Sequence, residues 1–168
     1  MSNQDAKLGH IPDVFKFAYE QRRLSGEVKV AAFERLADLL TDQSGVIRYK
    51  LEGDVDAMRK PRLTLTIDGS LMLRCQRCLG GLGWVLAVRN ALQPVRSGQE
   101  IPEEELEDDE VDAIEIDGDL YVLSLLEDEI LLALPLAPRH DECGTLRPEG
   151  GAVKESPFSV LSGLRAKN

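Results

Sequence analysis

The residues best equipped for chemistry in this 168-residue chain are Cys75-Gln76-Arg77-Cys78 and, much later, His140-Asp141-Glu142-Cys143. A C-x-x-C and an H-x-x-C together supply three thiolates and one imidazole, a complete tetrahedral set for a zinc ion if the fold brings the two segments together. The same residues allow two other readings. One is a redox dithiol with a spare cysteine, and the other is three buried thiols that serve only as small apolar side chains. Spacing alone leaves all three open. Three cysteines cannot all pair within one chain, and a reducing cytosol keeps them as thiols or metal ligands. Should the two segments meet, Arg74, Arg77 and Arg139 would gather around them as a basic patch of the kind that contacts phosphates.

Other chemistry is sparse. The flanks of Cys75-x-x-Cys78 read as strands, whereas a thioredoxin-like pair opens a helix in a βαβ unit. No P-loop, nucleophile elbow or dinucleotide glycine fingerprint is present. Two histidines, His10 and His140, leave little scope for acid–base catalysis by imidazole. Glu127-Asp128-Glu129 are consecutive acids on a helix and point in different directions, which suits a solvated face better than a cation site. The missing motifs and scarce histidine move the chain away from catalysis without excluding thiol chemistry, and no small-molecule substrate is expected.

The elements that must position the cysteines follow from periodicity. Val14 to Arg23 reads as a short helix or arm, and Leu24, Gly26, Val28 and Val30 alternate as in a half-buried strand. Phe33, Leu36, Ala37, Leu39 and Leu40 fall at helical spacing, which predicts a short helix ending before Gly45. From Gly45 to Arg96 the period becomes two: Ile47, Tyr49, Leu51, then Leu63, Leu65, Ile67, then Leu71, Leu73, Cys75, then Trp84, Leu86, Val88. Asp68-Gly69 is expected to be a turn or a bulge. Asp119 to Val122 suits a short strand. Ser124-x-x-Glu127 reads as a capping box opening a helix to Leu134, stopped by Pro135 and Pro138, with Glu127, Asp128 and Glu129 turned to water. Pro157 to Leu164 reads as a terminal helix.

These elements predict an α+β fold, an antiparallel β-meander or partly closed barrel covered by a few short helices in a single domain. Residues 1–23 form an N-terminal arm or short helix, 24–165 the domain and 166–168 a tail. Hydrophobic content of 43% is enough for one core. The formal charge of −10 is concentrated. Residues 99–112 hold nine acids (Glu100, Glu103, Glu104, Glu105, Glu107, Asp108, Asp109, Glu110, Asp112) and no base, and taking these from the 30 acids leaves 21 against 20 basic residues. Such a run is expected to be a solvated loop or an arm for a basic partner. The start of the chain lacks the apolar stretch of a secretory signal, and the longest apolar run, Ile130 to Ala137, contains a proline and is too short to span a bilayer. A cytoplasmic protein without a membrane partner is expected.

Several blocks taken together, LMLRCQRCLG, LLEDEILLALPLAPRHDEC and SPFSVLSGL in this order around an acidic stretch, resemble the bacterial YceD family of large ribosomal RNA subunit accumulation proteins. The resemblance runs from about Phe15 to Arg165. It implies a non-enzymatic factor for the synthesis, processing or stability of 23S ribosomal RNA in ribosome biogenesis, whose partner is ribosomal RNA or a basic ribosomal protein. The family's pattern falls on Cys75, Gln76, Arg77 and Cys78, on Glu127, Asp128, Glu129, Leu132, Leu134 and Pro135, on His140 and Cys143, and on Pro157, Phe158, Val160 and Leu161. One departure is Ser156, where many members carry Asn. No catalytic residue is implied, and zinc is the only cofactor considered, with a thiol redox protein or sensor as the alternative.

Overall fold

The computed structural model describes residues 9–98 and 111–143. The terminal helix expected at Pro157 to Leu164, with Pro157, Phe158, Val160 and Leu161, lies outside the described residues, as does most of the acidic run.

Strand β1 (His10–Ile11) leads into helix α1 (Val14–Tyr19), whose first turn is capped by the Asp13 carboxylate accepting the Lys16 N–H at 2.9 Å. The helix ends at Tyr19, short of the expected Arg23, because Arg23 already begins β2 (Arg23–Lys29). Where helical spacing predicts a helix over Phe33 to Leu40, two 3₁₀ turns form instead, Val30–Ala32 and Ala37–Leu39, followed by β3 (Leu40–Asp42). Phe33 and Leu36 are buried. Burying residues three apart needs only single turns, so the spacing did not require a continuous helix.

Three long strands follow: β4 (Val46–Val55), β5 (Pro61–Arg74) and β6 (Gly81–Val95). Asp68-Gly69 neither turns nor bulges, since Asp68 faces Ala87 and Gly69 faces Leu86 in unbroken register. Glycine is needed there for space, as a Cβ at Gly69 would sit 2.5 Å from Ile47 Cδ1. Strand β7 (Asp112–Glu115) then joins β6 in parallel, β8 (Leu120–Tyr121) pairs with β1, and α2 (Val122–Ala133) completes the described fold.

The main sheet has six strands in the order β2-β4-β5-β6-β7, with β3 beside β5, and all pairs except β6–β7 are antiparallel. Its two ends, β2 and β7, do not pair with each other among the described residues, so no barrel closes. The molecule is mostly sheet with few helices. Alternation assigns the faces: Ile47, Tyr49, Leu51, Leu63, Leu65, Ile67 and Leu86 are buried beneath the helices, while Arg48, Lys50, Ala87 and Arg89 are exposed on the other side. Helix α1 lies so close to the inner face that a Cβ at Gly53 would come within 2.6 Å of the Phe17 carbonyl oxygen.

Helix α2 corrects two expectations. Its N-cap is Tyr121 with no side-chain cap, so Ser124 lies inside the helix and Ser124-x-x-Glu127 is not a capping box. Glu127 and Glu129 are 7% and 5% exposed, so two of the three acids expected in water are buried. Glu127 accepts the Arg35 backbone N–H at 2.7 Å and Arg35 Nε at 2.8 Å, while Asp128, which is exposed, receives Arg35 Nη1 at 2.6 Å. The Asn90 side chain donates to Glu129. These bonds tie α2 to the segment before β3 and to the inner face of β6.

Candidate metal centre

The β5–β6 connection builds one half of the cysteine cluster. Strand β5 stops at Arg74, and Cys75 to Cys78 make a tight turn closed by Cys75 N–H to Gly80 O and Leu79 N–H to Cys75 O, both 2.9 Å. The turn needs one left-handed residue, and Leu79 supplies it at φ 61. The left-handed residue falls within the stretch Leu79-Gly80-Gly81, but at the leucine and not at either glycine. Within the turn the backbone N–H groups of Cys78 and Arg77 point at the Cys75 sulfur. Chiefly through the Cys78 N–H, they hold the Cys75 thiol well below its ordinary value, at about 5. A thiolate is the form that binds metal.

The other half is delivered by the end of α2. Pro135 forces Leu134 out of helical geometry (φ −63, ψ 140), and the chain extends across the turn until Gln76 N–H donates to Pro138 O at 2.8 Å. His140 and Cys143 follow. Cys75 Sγ lies 3.9 Å from Cys143 Sγ, and Cys78 Sγ lies 3.5 Å from His140 Nδ1. The four ligand atoms all fall within 4.8 Å of one another, so Cys75, Cys78, His140 and Cys143 could hold a metal ion.

The fit can be tested against geometry. Tetrahedral zinc with bonds of about 2.3 Å to sulfur and about 2.0–2.1 Å to nitrogen places two sulfurs about 3.8 Å apart and sulfur and nitrogen about 3.6 Å apart. The observed 3.9 and 3.5 Å match these edges. His140 Nε2 lies 3.0 Å from Gly81 O, a partner that can only accept, so Nε2 carries the proton and Nδ1 presents its lone pair to the cluster. Burial, aided by the neighbouring Cys75 sulfur, raises the Cys143 thiol, the opposite of Cys75. Crowded thiols share protons reluctantly, and a cation at their centre removes that conflict. Cys75 is fully buried, and the other three ligands are partly so.

Of the three arginines, Arg74 reaches back to Leu40 O at 3.5 Å, while Arg77 and Arg139 are exposed on the two segments that meet at Gln76 and Pro138. Among the remaining motif residues, Leu132 is 80% exposed on α2. Leu134, Pro135 and Gln76 line a shallow groove of about 200 Å³ beside the corner, together with Leu39, Leu73 and Leu131. The Arg35 clasp on Glu127 and Asp128 and the Asn90–Glu129 bond were not foreseen. Their only signal in the sequence is that the acids stand between apolar residues of the helix, Leu125 and Leu126 before them and Ile130 after.

Fold and corner together define a class: a small open-sheet domain whose longest hairpin meets, at its tip, the stretch after a helix in a C-x-x-C/H-x-x-C set. Residues 63–165 match the family described as Large ribosomal RNA subunit accumulation protein YceD. The chain is 30% identical to the "Large ribosomal RNA subunit accumulation protein YceD" of Haemophilus influenzae (strain ATCC 51907 / DSM 11121 / KW20 / Rd), over 98% of its own length and 99% of the relative's. No solved structure matches it. The chain belongs to the YceD family.

Proposed function

We propose that the protein is a non-catalytic cytoplasmic factor in the accumulation of large-subunit (23S) ribosomal RNA, acting by contact with that RNA during ribosome biogenesis. The observation that carries this reading is membership of a family named for that role, along nearly the whole chain. The corner supports it in a secondary way. With zinc bound, Cys75, Cys78, His140 and Cys143 would form a structural crosslink with no open coordination position, which suits scaffolding and not hydrolysis. Held so, Arg77 and Arg139 stand on neighbouring backbone segments as a small positive site.

A basic ribosomal protein held by the acidic run is the other partner considered, and crosslinking in cells separates the two. Irradiation followed by purification under denaturing conditions is expected to recover large-subunit ribosomal RNA covalently attached to the chain. Recovery of a ribosomal protein and no RNA would replace the direct contact by a protein-mediated one. A thiol redox role has one observation in its favour, the low value of Cys75. It predicts a reversible Cys75–Cys78 disulfide in protein purified without reductant, and alkylation of both thiols in such protein would exclude it.

A further inference from the structure

The corner arginines are not the largest positive feature of the fold. Both helices, the 3₁₀ turns and the inward side chains of β4, β5 and β6 occupy one face of the sheet, and nothing among the described residues covers the other. From that bare face we infer a second, broader RNA-binding surface, the solvent side of β2, β4, β5 and β6 centred on Arg48, Lys50 and Arg89, which takes an RNA phosphate backbone. This inference rests on the reading that the protein contacts ribosomal RNA.

Register defines the surface. Ser25 faces Lys50, Lys50 faces Thr66 and Thr66 faces Arg89, so one row across four strands alternates hydroxyls with cations and holds no acid. Adjacent strands are about 4.8 Å apart, which puts the Lys50 and Arg89 backbones about 10 Å from each other. Arg48 stands two residues from Lys50 along β4, on the same side. Four acids share the face. Glu52 is already engaged by Arg23 at 3.1 Å and by Lys50 at 2.8 Å, and Asp54 accepts from Gln21 and from the Val55 N–H. Glu27 and Asp68 stand opposite Arg48 in register, yet Arg48, Arg62 and Arg89 make no ion pair within 4.0 Å with any described residue. These guanidinium groups are therefore available to phosphate, for which their planar fork of donors is suited.

The floor of the surface is low on the β6 side at Gly83 and Ala87, which flank the exposed Val85, and a Cβ at Gly83 would meet nothing within 4 Å. A backbone can thus approach the sheet closely. Tyr49 and Trp84 alternate to the covered side, so the face carries no aromatic ring on which a base could stack. Contacts are limited to phosphates and to 2′-hydroxyls reached by Ser25, Thr64 and Thr66, and binding should be insensitive to base identity. Elsewhere the charge is unfavourable to RNA, since the chain as a whole carries −10. The positive row is therefore a local concentration against the average sign of the protein.

The test is filter binding of an in vitro transcribed fragment of large-subunit ribosomal RNA and of homopolymeric RNAs, with full-length protein across about 50–300 mM salt. Wild type is expected to bind the homopolymers within about threefold of one another, as backbone contacts require. The Arg48→Glu/Lys50→Glu/Arg89→Glu protein should bind at least tenfold more weakly and lose about 2 from the slope of log K against log salt, at about 0.7 per phosphate contact on single strands. Its alanine counterpart is the second variant and should give the same slope change, with thermal melts showing both folded. An Arg77→Glu/Arg139→Glu protein should keep the slope within about 1.5 of wild type. If that corner variant abolishes binding while the face variants bind like wild type, the inference falls and the proposed function stands on the corner alone. If wild type binds no RNA, or binds polyglutamate at least as tightly through the same residues, the inference falls as well. In-cell crosslinking then decides separately whether the proposed function survives.

Discussion

At the scale of single residues, the informative side chains are acids that the helix does not turn to water. Glu127 accepts a backbone N–H and a guanidinium N–H from Arg35, whereas Asp128 takes a single exposed arm of the same guanidinium. The Arg35 guanidinium is raised above its ordinary value, first by the hydrogen bond to Glu127. Glu127→Ala leaves the Arg35 N–H without its acceptor and is expected to cost about 2–3 kcal/mol. Asp128→Ala removes only a surface ion pair and should cost less than about 1 kcal/mol. Urea unfolding of the two variants checks this, and equal costs would mean that the backbone bond contributes nothing. Glu129 behaves differently. Burial raises its carboxyl, opposed by the Asn90 amide, so the folded state holds its proton more tightly than the unfolded chain does. The stability tied to that proton is full below the ordinary glutamate value and is lost as pH rises through the higher folded value. Glu129→Gln keeps an acceptor for Asn90 and removes this titration. The variant should therefore gain on wild type as pH rises from about 4 to 7, measured as the difference in unfolding free energy.

At the scale of elements, the corner joins the tip of the longest hairpin to the stretch after α2. A metal at the four ligands would add to two described bonds between the segments, Gln76 N–H to Pro138 O and His140 Nε2–H to Gly81 O. A metal held at 1,000 times its Kd contributes about 4 kcal/mol. Chelation, or Cys78→Ser, is thus expected to lower the Tm by roughly 8–16 °C for a chain of this size, with about one zinc per chain in protein purified without chelator. A Tm unmoved by chelator with no metal present would leave an apolar thiol cluster. Much of this architecture was legible beforehand because strands announce themselves by alternation: Ile47-Tyr49-Leu51 and Leu63-Leu65-Ile67 are buried as their spacing requires. The His140 and Cys143 juxtaposition was legible as a possibility, since ligand types constrain geometry. What failed were the readings where one pattern serves two structures. Spacing of three over Phe33 to Leu40 fits 3₁₀ turns as well as a helix, Asp-Gly fits a strand that must pass under Ile47, and acids on a helix look solvated until Arg35 and Asn90 arrive from distant segments.

At the scale of the whole molecule, the chain combines a sheet face bearing arginines outside any ion pair among the described residues with a run of nine acids between Glu100 and Asp112 that accounts for most of its net negative charge. The two have opposite effects on an approaching polyanion, and ionic strength sets how far each reaches. At about 10 mM salt the Debye length is about 30 Å, roughly twice the radius of gyration of about 15 Å for a compact chain of this length, so the acids repel RNA wherever they sit. At about 1 M it is about 3 Å, and only direct contacts matter. Replacing the nine acids by serine or glutamine takes the formal charge from −10 to −1. The association rate with RNA, followed by stopped flow, should then rise by at least about tenfold at 10 mM salt, with the gap narrowing steadily as salt is added. Dissociation should change far less, because long-range charge acts on the encounter more than on the bound complex. If instead the replacement slows association or speeds dissociation, the acidic run is itself part of a binding surface, and the partner that it recognises is basic.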